Sequence, residues 1–392
     1  MPFYTGGVNL NDFYISDDDV VDQYLSGKLW SWGANAYGML GDNTGTSRSS
    51  PVQTITGGTN WKQVSSGFYS SAAVKTDGTL WLWGSNYEGQ LGDDTTVIKY
   101  SPVQTITGGT NWKQVSLGLD LYFHTAAVKT DGTLWTWGSN YEGQLGDGTG
   151  ASRSSPVQTI TGGNNWKQVS CGKNFTAAVK TDGTLWTWGR NTYGALGDNS
   201  TASKNSPEQV MTGGNDWNQV SCGYFHTAAI KTDGTLWAWG FNPSGQLGGN
   251  DTVRRSSPVQ TIAGGTNWKQ VACNRNLTVA VKTDGTLWTW GSNNYGVLGD
   301  NTTTGRSSPV QTIVGGTNWK QVACGYRHTA AVKTDGTLWT WGRNYSGALG
   351  DNTQTDRSSP VQTVTGGTNW KQVACGSGSS GYSFTAAVQN DG

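Results

Sequence analysis

The sequence predicts an all-β protein, a seven-bladed β-propeller of four-stranded antiparallel blades that is closed by the N- and C-terminal halves of one blade. A Trp preceded by Asn or Asp recurs at intervals of 51, 54, 51, 51, 51 and 51 residues, and a second motif, LWxWG, recurs at the same intervals. The chain also starts and ends inside a repeat. A fixed period of strand-like units indicates a propeller, a solenoid or an array. The Trp of the first motif is found at Trp61, Trp112, Trp166, Trp217, Trp268, Trp319 and Trp370. The first Trp of LWxWG is found at Trp30, Trp81, Trp135, Trp186, Trp237, Trp288 and Trp339.

Composition and charge narrow the function classes. The 392 residues include 58 Gly and 21 Trp, and only 34% are hydrophobic, which fits small units packed through Trp rather than one large core. Twenty-six basic residues balance 26 acidic ones, so no global field favours nucleic acid or an anionic membrane. No apolar run reaches the length of a spanning helix, and the N-terminus lacks the regions of a signal peptide. We expect no nucleic-acid partner, no membrane insertion and no signal peptide.

Each repeat contains four short strand-like segments, seen around residues 166 to 211 as WKQVSCG, TAAVKT, LWTWG and SPVQTI. No segment has helical periodicity. The second and third segments are joined by KTDGT, in which Asp-Gly is a strong hairpin signal because both central residues of the two-residue turn need positive φ. The unit is therefore predicted to be an antiparallel four-stranded meander.

The two ends of the chain complement each other. The first repeat-like segment, residues 29 to 33, is a third strand with no first or second strand before it. The last repeat supplies a first and a second strand, residues 370 to 388, and the sequence stops at the hairpin signal that follows. Joining these halves removes two open sheet edges, which would otherwise template aggregation. We therefore predict an acidic non-repeat head, residues 1 to 26, and a propeller, residues 27 to 392.

Side-chain size along the repeat agrees with a propeller. Blades diverge from the axis, so inner strands are expected to carry small residues and outer strands large ones. The second segment carries Ala-Ala and the third carries paired Trp. The i, i+2 spacing of Trp186 and Trp188 places both rings on one blade face, where each buries on the order of 200 Å². We expect these rings to pack rather than to bind a ligand.

Residues with possible chemistry fall on repeat positions. Five cysteines occupy one position at 51-residue spacing, and an odd count without CxxC predicts reduced structural thiols. Three histidines share another position with Phe and Leu, so this position tolerates packing residues and we expect no metal site. An LGD aspartate recurs in six units and is expected to cap its own loop. No potential nucleophile has a neighbouring general base that the sequence reveals, so we expect neither an enzyme nor a cofactor. The cysteines are Cys171, Cys222, Cys273, Cys324 and Cys375, and the histidines are His124, His226 and His328. The LGD aspartates are Asp42, Asp93, Asp147, Asp198, Asp300 and Asp351.

The string GYFHTAAIKTDGTLWAWGFNPSGQLG, residues 223 to 248, resembles the regulator of chromosome condensation repeat, and the resemblance extends over residues 27 to 392. That family forms seven-bladed propellers with a shared closing blade. Its best-known member is a nucleotide exchange factor for a small GTPase that also binds chromatin and inserts an expanded loop into the GTPase. Here the basic tail is absent, and the loops gain only three residues around 119 to 122 and five within 377 to 382.

Two function classes follow from this resemblance. Other relatives are bacterial inhibitors that cap an enzyme with one propeller face, and phage or cyanobacterial proteins with near-identical SPVQTITGGTNWKQV units. This sequence is most similar to the last group, so the first reading is a binding or structural propeller of a phage virion, in its tail, fibre or capsid. The alternative is a guanine-nucleotide exchange factor-like regulator of a small GTPase. Without a phage origin, we expect the cytoplasm.

The seven copies differ from each other mainly on one predicted face. The first-to-second and third-to-fourth connections share what we call the variable face, and the nearly unchanged KTDGT and GGTNW connections share the opposite turn face. Tyr, Phe and Arg are typical of binding hot spots, so we hypothesise that the variable face recognises a protein or glycan, such as one on a host surface. Unconstrained drift of loops after duplication is the alternative. The candidate residues are Tyr69, Tyr122, Phe123, Tyr193, Tyr224, Phe225, Phe241, Arg275, Tyr295, Tyr326, Arg327, Arg343, Tyr345 and Tyr382.

The head differs from the repeats. Residues 1 to 26 contain five Asp and no basic residue, so the remaining chain carries five net positive charges. The segment also contains five aromatic residues, and this mixed acidic and aromatic composition suggests a segment that becomes ordered against the ring or against a larger assembly. We expect an attachment peptide in a virion, carried by Phe13, Tyr14, Asp17, Asp18 and Asp19.

Overall fold

Each repeat folds into one four-stranded antiparallel sheet, and seven such sheets surround a common axis. The structure is a computed structural model that describes residues 27–120, 123–211, 214–365, 367–378 and 382–390. These residues form 28 strands in seven sheets, which confirms the predicted all-β, seven-bladed propeller. Within these residues the structure contains no helix that is long and apolar enough to cross a membrane. The predicted head, residues 1 to 26, lies outside the described residues.

Blades 1 to 3 follow one another along the chain, and the strands of each blade are ordered from the axis to the rim. They consist of β3 (Trp61–Ser66), β4 (Ser70–Lys75), β5 (Leu80–Gly84) and β6 (Lys99–Gln104); β7 (Trp112–Leu117), β8 (His124–Lys129), β9 (Leu134–Gly138) and β10 (Arg153–Gln158); and β11 (Trp166–Cys171), β12 (Phe175–Lys180), β13 (Leu185–Gly189) and β14 (Lys204–Gln209).

Blades 4 to 6 repeat this order, and blade 7 combines the two ends of the chain. They consist of β15 (Trp217–Cys222), β16 (His226–Lys231), β17 (Leu236–Gly240) and β18 (Arg255–Gln260); β19 (Trp268–Asn274), β20 (Leu277–Lys282), β21 (Leu287–Gly291) and β22 (Arg306–Gln311); β23 (Trp319–Cys324), β24 (His328–Lys333), β25 (Leu338–Gly342) and β26 (Arg357–Gln362); and β27 (Trp370–Gly376), β28 (Phe384–Asn390), β1 (Gly27–Gly33) and β2 (Arg48–Gln53).

Blade 7 closes the ring as predicted. Strand β1 pairs with β28 along its whole length, from Gly27 opposite Asn390 to Gly33 opposite Phe384. The sheet order is β2-β1-β28-β27, so the ends of the chain complete one another. Innermost strand β27 contacts both β23 and β3, and the inner strands of the other blades contact their neighbours in the same way. The ring of inner strands is therefore continuous.

The hairpin between the second and third strands differs in detail from the sequence prediction. Gly78 has φ 77°, but Asp77 does not have a positive φ. The Gly78 N–H donates to the Lys75 carbonyl, and the Lys75 N–H donates to the Thr79 carbonyl. This pattern is a three-residue loop in which a turn is followed by a left-handed glycine. The prediction of two positive φ angles was wrong because the loop holds one more residue than the two-residue form.

The core lies between blades rather than within them. Between blades 2 and 3, Ala126 and Val128 of one blade pack against Trp166 and Trp188 of the next. The Trp166 ring contacts those of Trp186 and Trp188 at centroid distances of 6.4 and 6.1 Å, which confirms that the two motif tryptophans share a blade face. The Trp188 indole N–H donates to the Gln144 carbonyl of blade 2. The Trp rings therefore pack the blades together, as predicted.

A ring of glutamine side chains joins the inner strands, and we call it the glutamine belt. Gln168 shows the pattern, because its amide Nε2 donates to the Val220 carbonyl and its Oε1 accepts from the Val220 N–H, both at 2.9 Å. Neighbouring inner strands are thus bridged by a side chain that imitates a backbone ladder. This role was not predicted, although Gln occupies the position in all seven copies. The belt consists of Gln63, Gln114, Gln168, Gln219, Gln270, Gln321 and Gln372.

Candidate functional site

The predicted division into two faces agrees with contacts between loops. Arg327, in a first-to-second connection, donates from Nη1 to the hydroxyl of Tyr295, in a third-to-fourth connection, at 3.0 Å. On the opposite side, the Trp112 N–H donates to the carbonyl of Gly78 in the hairpin of the preceding blade. The variable connections therefore share one face, and the nearly unchanged connections share the turn face.

Three predicted binding residues of the variable face are buried. Tyr69, Phe123 and Tyr224 are 4, 1 and 9% exposed, and they share one apolar cluster with Leu119 and Phe384. Tyr69 belongs to blade 1 and Tyr224 to blade 4, on opposite sides of a seven-membered ring, so the cluster crosses the axis. Because these rings are buried, they position neighbouring loops rather than offer their own faces to a partner.

One aromatic group of the variable face lies between blades 3 and 4. The Tyr193 ring lies 4.8 Å from that of Phe225 and 4.4 Å from that of Phe241, measured between centroids. All three residues are half-buried. The Arg190 guanidinium lies 5.4 Å from the centroid of Phe225 and also pairs with Glu142 at 3.8 Å. The positive charge of this group is therefore partly balanced.

A second group, between blades 5 and 6, combines arginine with tyrosine. The guanidinium carbons of Arg275 and Arg327 lie 4.5 and 4.8 Å from the ring centroid of Tyr326. Those of Arg327 and Arg343 lie 4.9 and 4.8 Å from the centroid of Tyr295. These are cation–π distances, and stacking on a ring restricts an arginine side chain. The group is therefore a preorganised set of positive charges.

Four of these residues, Arg275, Tyr295, Tyr326 and Arg327, line a cleft, which we call the arginine cleft. Its volume is about 360 Å³, and it opens on the variable face between blades 4, 5 and 6. No Asp or Glu is among its lining residues, and in the described part of the chain Arg275, Arg327 and Arg343 form no ion pair. The lining consists of Ser244, Arg275, Asn276, Leu277, Ser292, Asn294, Tyr295, Val297, Tyr326 and Arg327.

The remaining candidates lie around these groups. Tyr345 is 68% exposed, and its ring centroid lies 5.7 Å from the Arg343 guanidinium. Tyr382 is 43% exposed and lies edge-on to Tyr69 at 6.0 Å. Tyr122 lies outside the described residues. Exposed aromatic side chains therefore lie beside Arg343 and beside the buried aromatic cluster.

A lysine at the centre of the face is neutralised. Lys173 forms an ion pair with Asp120 at 3.2 Å, and its ammonium lies 4.9 Å from the ring centroid of Tyr224. Burial raises the pKa of Tyr224, and the Asp120 charge raises it further, so this phenol is neutral. Lys173 therefore adds no unbalanced positive charge beside the buried aromatic cluster.

The five cysteines are structural, as predicted. All are buried and free, and burial raises the pKa of Cys171 to about 12. The Cys171 N–H donates to the Ser116 hydroxyl of the preceding blade, and its thiol lies 3.4 Å from the Ser116 carbonyl. Burial thus keeps the thiol protonated at neutral pH and away from solvent, which is typical of a structural cysteine. Within the described residues, no three His, Cys, Asp or Glu side chains are grouped in a way that would hold a metal ion.

The histidines occupy packing positions between blades. His226 is fully buried, and burial lowers its pKa to about 3. Its Nε2 lies 3.0 Å from the Thr278 hydroxyl, which itself donates to the Gln246 carbonyl. The hydroxyl therefore accepts from the histidine, so the neutral ring carries its proton on Nε2. His124 and His328 make the same contact with Thr176 and Thr385.

The LGD aspartates cap their loops, as predicted. Asp300 Oδ1 accepts from the Thr302 N–H and hydroxyl, and Asp300 Oδ2 accepts from Arg306. Burial alone would raise the pKa of Asp300, but hydrogen bonds from Thr302, Arg306 and Asn293 outweigh it and lower the pKa. Blade 4 has Gly249 at this position, and Asp251 takes over the contact with the loop asparagine and the ion pair with its arginine. That replacement was not anticipated.

The fold and its faces define a repeat propeller with a conserved scaffold and one divergent loop surface. A model of the RCC1-like domain matches residues 122–392, and a model of the regulator of chromosome condensation (RCC1) repeat matches residues 26–74 and 77–128. This chain belongs to the RCC1 repeat family, as its repeat motif indicated.

Relatives of known identity support this assignment. The ultraviolet-B receptor UVR8 of Arabidopsis thaliana is 33% identical over 345 residues, which are 86% of this chain and 78% of UVR8. The human E3 ubiquitin-protein ligase HERC2 is 29% identical over 376 residues, which are 92% of this chain but only 8% of HERC2. The chain thus spans only a small part of the length of that protein.

Solved structures show the same fold at low sequence identity. Human WBSCR16 superposes with a TM-score of 0.79 at 20% identity, covering 93% of this chain and 99% of that one. Prp20p of Saccharomyces cerevisiae, a structure described together with its binding to Gsp1p and histones, has a TM-score of 0.78 at 18% identity, covering 96% of this chain and 95% of that one. These likenesses concern the fold only.

Proposed function

We propose that this chain is a non-enzymatic protein-binding propeller and that its arginine cleft receives an acidic segment of a partner protein. The observation that carries the proposal is the lining of the cleft, which has two guanidinium groups and no carboxylate. Guanidinium groups bind carboxylates through two parallel hydrogen bonds, and Arg and Tyr are enriched at binding hot spots. An acidic peptide segment is the ligand whose charge and geometry match this lining.

Rigidity supports the same proposal. Arg327 is held between the rings of Tyr295 and Tyr326, and it donates to the Tyr295 hydroxyl. Side chains that are ordered before binding lose less entropy when a partner arrives. The buried cluster of Tyr69, Phe123 and Tyr224 beneath the loops supplies a firm base. Unconstrained drift does not account for three arginines stacked on two tyrosines beside a cleft without acidic residues.

The relatives support a protein partner in general terms. Prp20p is described with Gsp1p and histones, and yeast RCC1 was solved with Kap60, so propellers of this fold accept protein partners. The relatives named above include no virion protein and no glycan-binding protein, so a virion location and a glycan ligand are not part of the proposal. The exchange-factor alternative rests on a likeness of fold alone and is not carried further.

A peptide selection tests the proposal without knowledge of the partner. A displayed library of random peptides is selected against the full chain, with counter-selection against an Arg275→Ser/Arg327→Ser variant. We expect enriched peptides to carry Asp or Glu and to bind the double variant at least about tenfold more weakly, since two charge-assisted bonds are lost.

A control variant separates the effect of the cleft arginines from that of net charge. Arg254 is exposed and lies outside the cleft lining, so Arg254→Ser changes the net charge without touching the cleft. Binding of the selected peptides to this control should equal that of the unaltered chain. Peptides no more acidic than the library, or equal binding to all three proteins, would remove the proposal.

A further inference from the structure

Three aromatic groups of the variable face are built on the same repeat position. The tyrosine that stands two residues after the loop asparagine is found at Tyr193 in blade 3, Tyr295 in blade 5 and Tyr37 in blade 7. Each ring contacts the first-to-second connection of the following blade, at 4.8 Å from the Phe225 ring, 4.9 Å from the Arg327 guanidinium and 4.5 Å from the Tyr69 ring. The three groups are therefore copies of one arrangement.

In two of these groups, cations of the chain itself lie over the aromatic rings. Between blades 3 and 4, a lysine and an arginine each lie 5.4 Å from the ring centroid of Phe225. Between blades 5 and 6, the Arg343 guanidinium lies 4.8 Å from the centroid of Tyr295 and 5.7 Å from that of Tyr345. The electron-rich face of an aromatic ring attracts a cation. These two groups therefore receive their positive charge from within the protein.

The group between blades 7 and 1 differs from its copies in this respect. Tyr69 and Ser85 occupy the repeat positions at which blade 6 has the two arginines over its neighbouring tyrosine. Among the residues that the structure describes, no Lys or Arg lies over the ring of Tyr37 or Tyr87. These two rings instead contact each other edge-on, at 6.3 Å between centroids. The aromatic pair thus lacks the charge that its copy in blades 5 and 6 contains.

Four phenol groups come together at this place, and we call Tyr37, Tyr69, Tyr87 and Tyr382 the tyrosine cluster. Burial raises the pKa of Tyr37, and the other three phenols of the cluster raise it further, which agrees with their proximity. Tyr87 and Tyr382 are 52 and 43% exposed, so the cluster is open to solvent on the variable face. A ligand can therefore reach its rings without unfolding the loops.

A carboxylate beside the cluster adds negative charge. Glu88 directly follows Tyr87, and its two oxygens accept from the hydroxyl groups of Tyr141 and Ser152 at 3.4 and 3.2 Å. Within the described ranges Glu88 forms no ion pair. A cation that stacks on Tyr87 is attracted by this charge as well as by the ring. The ligand that complements this surface is therefore positively charged.

The chain itself indicates which cation fits. Arginines stack on three other tyrosines of the same face, Tyr295, Tyr326 and Tyr345. A guanidinium lies flat on an aromatic ring and keeps its N–H groups available for a carboxylate such as that of Glu88. The chemistry of the cluster therefore matches an arginine side chain.

We propose that an arginine of a partner protein inserts its guanidinium between Tyr37 and Tyr87, in the place that Arg343 takes in the copy between blades 5 and 6. Tyr87 lies at the surface and turns outward to admit it. The site is formed by blades 7 and 1, whereas the arginine cleft is formed by blades 4, 5 and 6. The proposal is therefore independent of the function proposed for the cleft.

A titration with a tetra-arginine peptide tests this site. The full chain is labelled with ring-¹³C tyrosine, and the resonances are assigned with Tyr37→Phe and Tyr87→Phe variants. We expect saturable shifts at both tyrosines, and we expect a tetra-citrulline peptide, which has nearly the same shape but no charge, to bind at least about tenfold more weakly. Absence of a saturable shift, or equal binding of the uncharged peptide, would overturn the proposal.

A second arm supplies the missing cation from the chain. Ser85→Arg places an arginine at the repeat position of Arg343, so it should fill the site and weaken tetra-arginine binding roughly tenfold. Ser292→Arg is the matched control, because it adds the same charge at the same repeat position of blade 5. This control should bind the peptide as the unaltered chain does. Equal weakening by both variants would show simple charge repulsion and would contradict the proposed site.

A third variant keeps the test decisive if Ser85→Arg alters the fold. Tyr87→Thr removes an exposed ring, and Thr192 already occupies this repeat position in blade 3, so the loop should keep its structure. We expect at least about threefold weaker binding of tetra-arginine, and unchanged affinity would overturn the proposal. Arg275→Ser/Arg327→Ser should leave this binding unchanged, which separates the site from the cleft. In sedimentation, a dimer that Ser85→Arg dissociates would show that the arginine comes from a second copy, which would overturn the assignment to another protein.

Discussion

Gln372 Oε1 accepts a hydrogen bond from the Val64 N–H at 3.0 Å, so the last inner strand of the chain is joined to the first. The same bond joins Gln168 to Val220 and Gln321 to Val373, which follow one another in sequence. The ring is thus closed by the same hydrogen bond that connects the inner strands of the other neighbouring blades. Nothing at this joint depends on the two strands being 308 residues apart.

We therefore predict that Gln372→Ala and Gln168→Ala destabilise the propeller by similar amounts, about 1–3 kcal/mol each, because each leaves a partly buried Val N–H without its acceptor. Urea denaturation followed by Trp fluorescence measures the change. A closure variant that costs nothing, beside a Gln168 variant that does, would mean that the ring is not closed by the belt.

The cation over the Trp pair is absent from blade 7. In blade 3, Lys180 Nζ lies 4.7 and 4.6 Å from the ring centroids of Trp166 and Trp186. In blade 7 the equivalent residue is Gln389, and Lys28 stands where the other blades have a Thr that accepts from the indole. The buried indole nitrogen of Trp30 has no hydrogen-bond partner among the described residues.

Lys28→Thr/Gln389→Lys installs the missing pair. It adds one cation–π contact and one indole hydrogen bond and removes the hydrogen bond from Gln389 to Asn369, so we expect a net stabilisation of about 0.5 kcal/mol. The double change is needed because Lys28 lies opposite Gln389, where two lysines would repel. Lys180→Met is the matched loss and should destabilise by about 0.5–1 kcal/mol. Thermal unfolding compares the three proteins, and a double variant less stable than the starting chain would contradict the assignment.

Acid should destabilise the propeller through its buried histidines. The pKa of His124 and His226 is about 3 and that of His328 is about 4 in the folded protein, below the ordinary value of 6.5. The unfolded chain therefore binds more protons between these values. Stability is complete above pH 6.5 and falls as the pH is lowered toward 4, by up to about 1.4 kcal/mol per pH unit for each histidine.

His226→Phe should reduce that slope by one proton between pH 4.5 and 6, because Phe175 already fills the equivalent position in blade 3. Urea midpoints measured across this range give the slope. The aspartates that cap the loops, such as Asp300, have lowered pKa values, so their effect on the pH dependence of stability lies at lower pH. An unchanged slope would show that the histidine titrates normally.

The displaced carboxylate of blade 4 offers a rescue experiment. Asp251→Ala should destabilise by about 1–3 kcal/mol, as Asp300→Ala should in blade 5, because a part-buried asparagine and an arginine lose their acceptor. Gly249→Asp/Asp251→Thr restores the arrangement of the other blades. A Cβ at Gly249 would meet only the Asp251 carboxylate, at 3.8 Å, so there is room for the change. Recovery of the unfolding midpoint in the double variant is the expected result.

The repeat made the fold predictable. Because Trp positions recur at a fixed interval, strand order, blade number and the closing blade could be derived from the sequence, and the structural thiols and loop caps followed from their repeat positions. The hairpin was assigned one residue too short, because Asp-Gly marks a turn without fixing the number of residues in it.

The candidate site was less predictable, because its properties depend on contacts between repeats. The loop residues were assigned to the correct face, but Tyr69 and Tyr224 meet across the axis and are buried, which no single repeat reveals. Arg275 and Arg327 come from different blades and share the ring of Tyr326 only in space. The glutamine belt left a visible signal, since its residue is present in every copy, but the partner of that residue lies about fifty positions away.

Since the contact of Gln372 with Val64 matches those between blades that are continuous in sequence, the position of the chain break is interchangeable among the blades. A circular permutant with a short turn between residue 390 and Gly27, opened instead at the Asp233–Gly234 hairpin, would have to reassemble the same wheel from a different starting point. The fold is determined by the contacts between neighbouring blades, so the chain can begin in any blade.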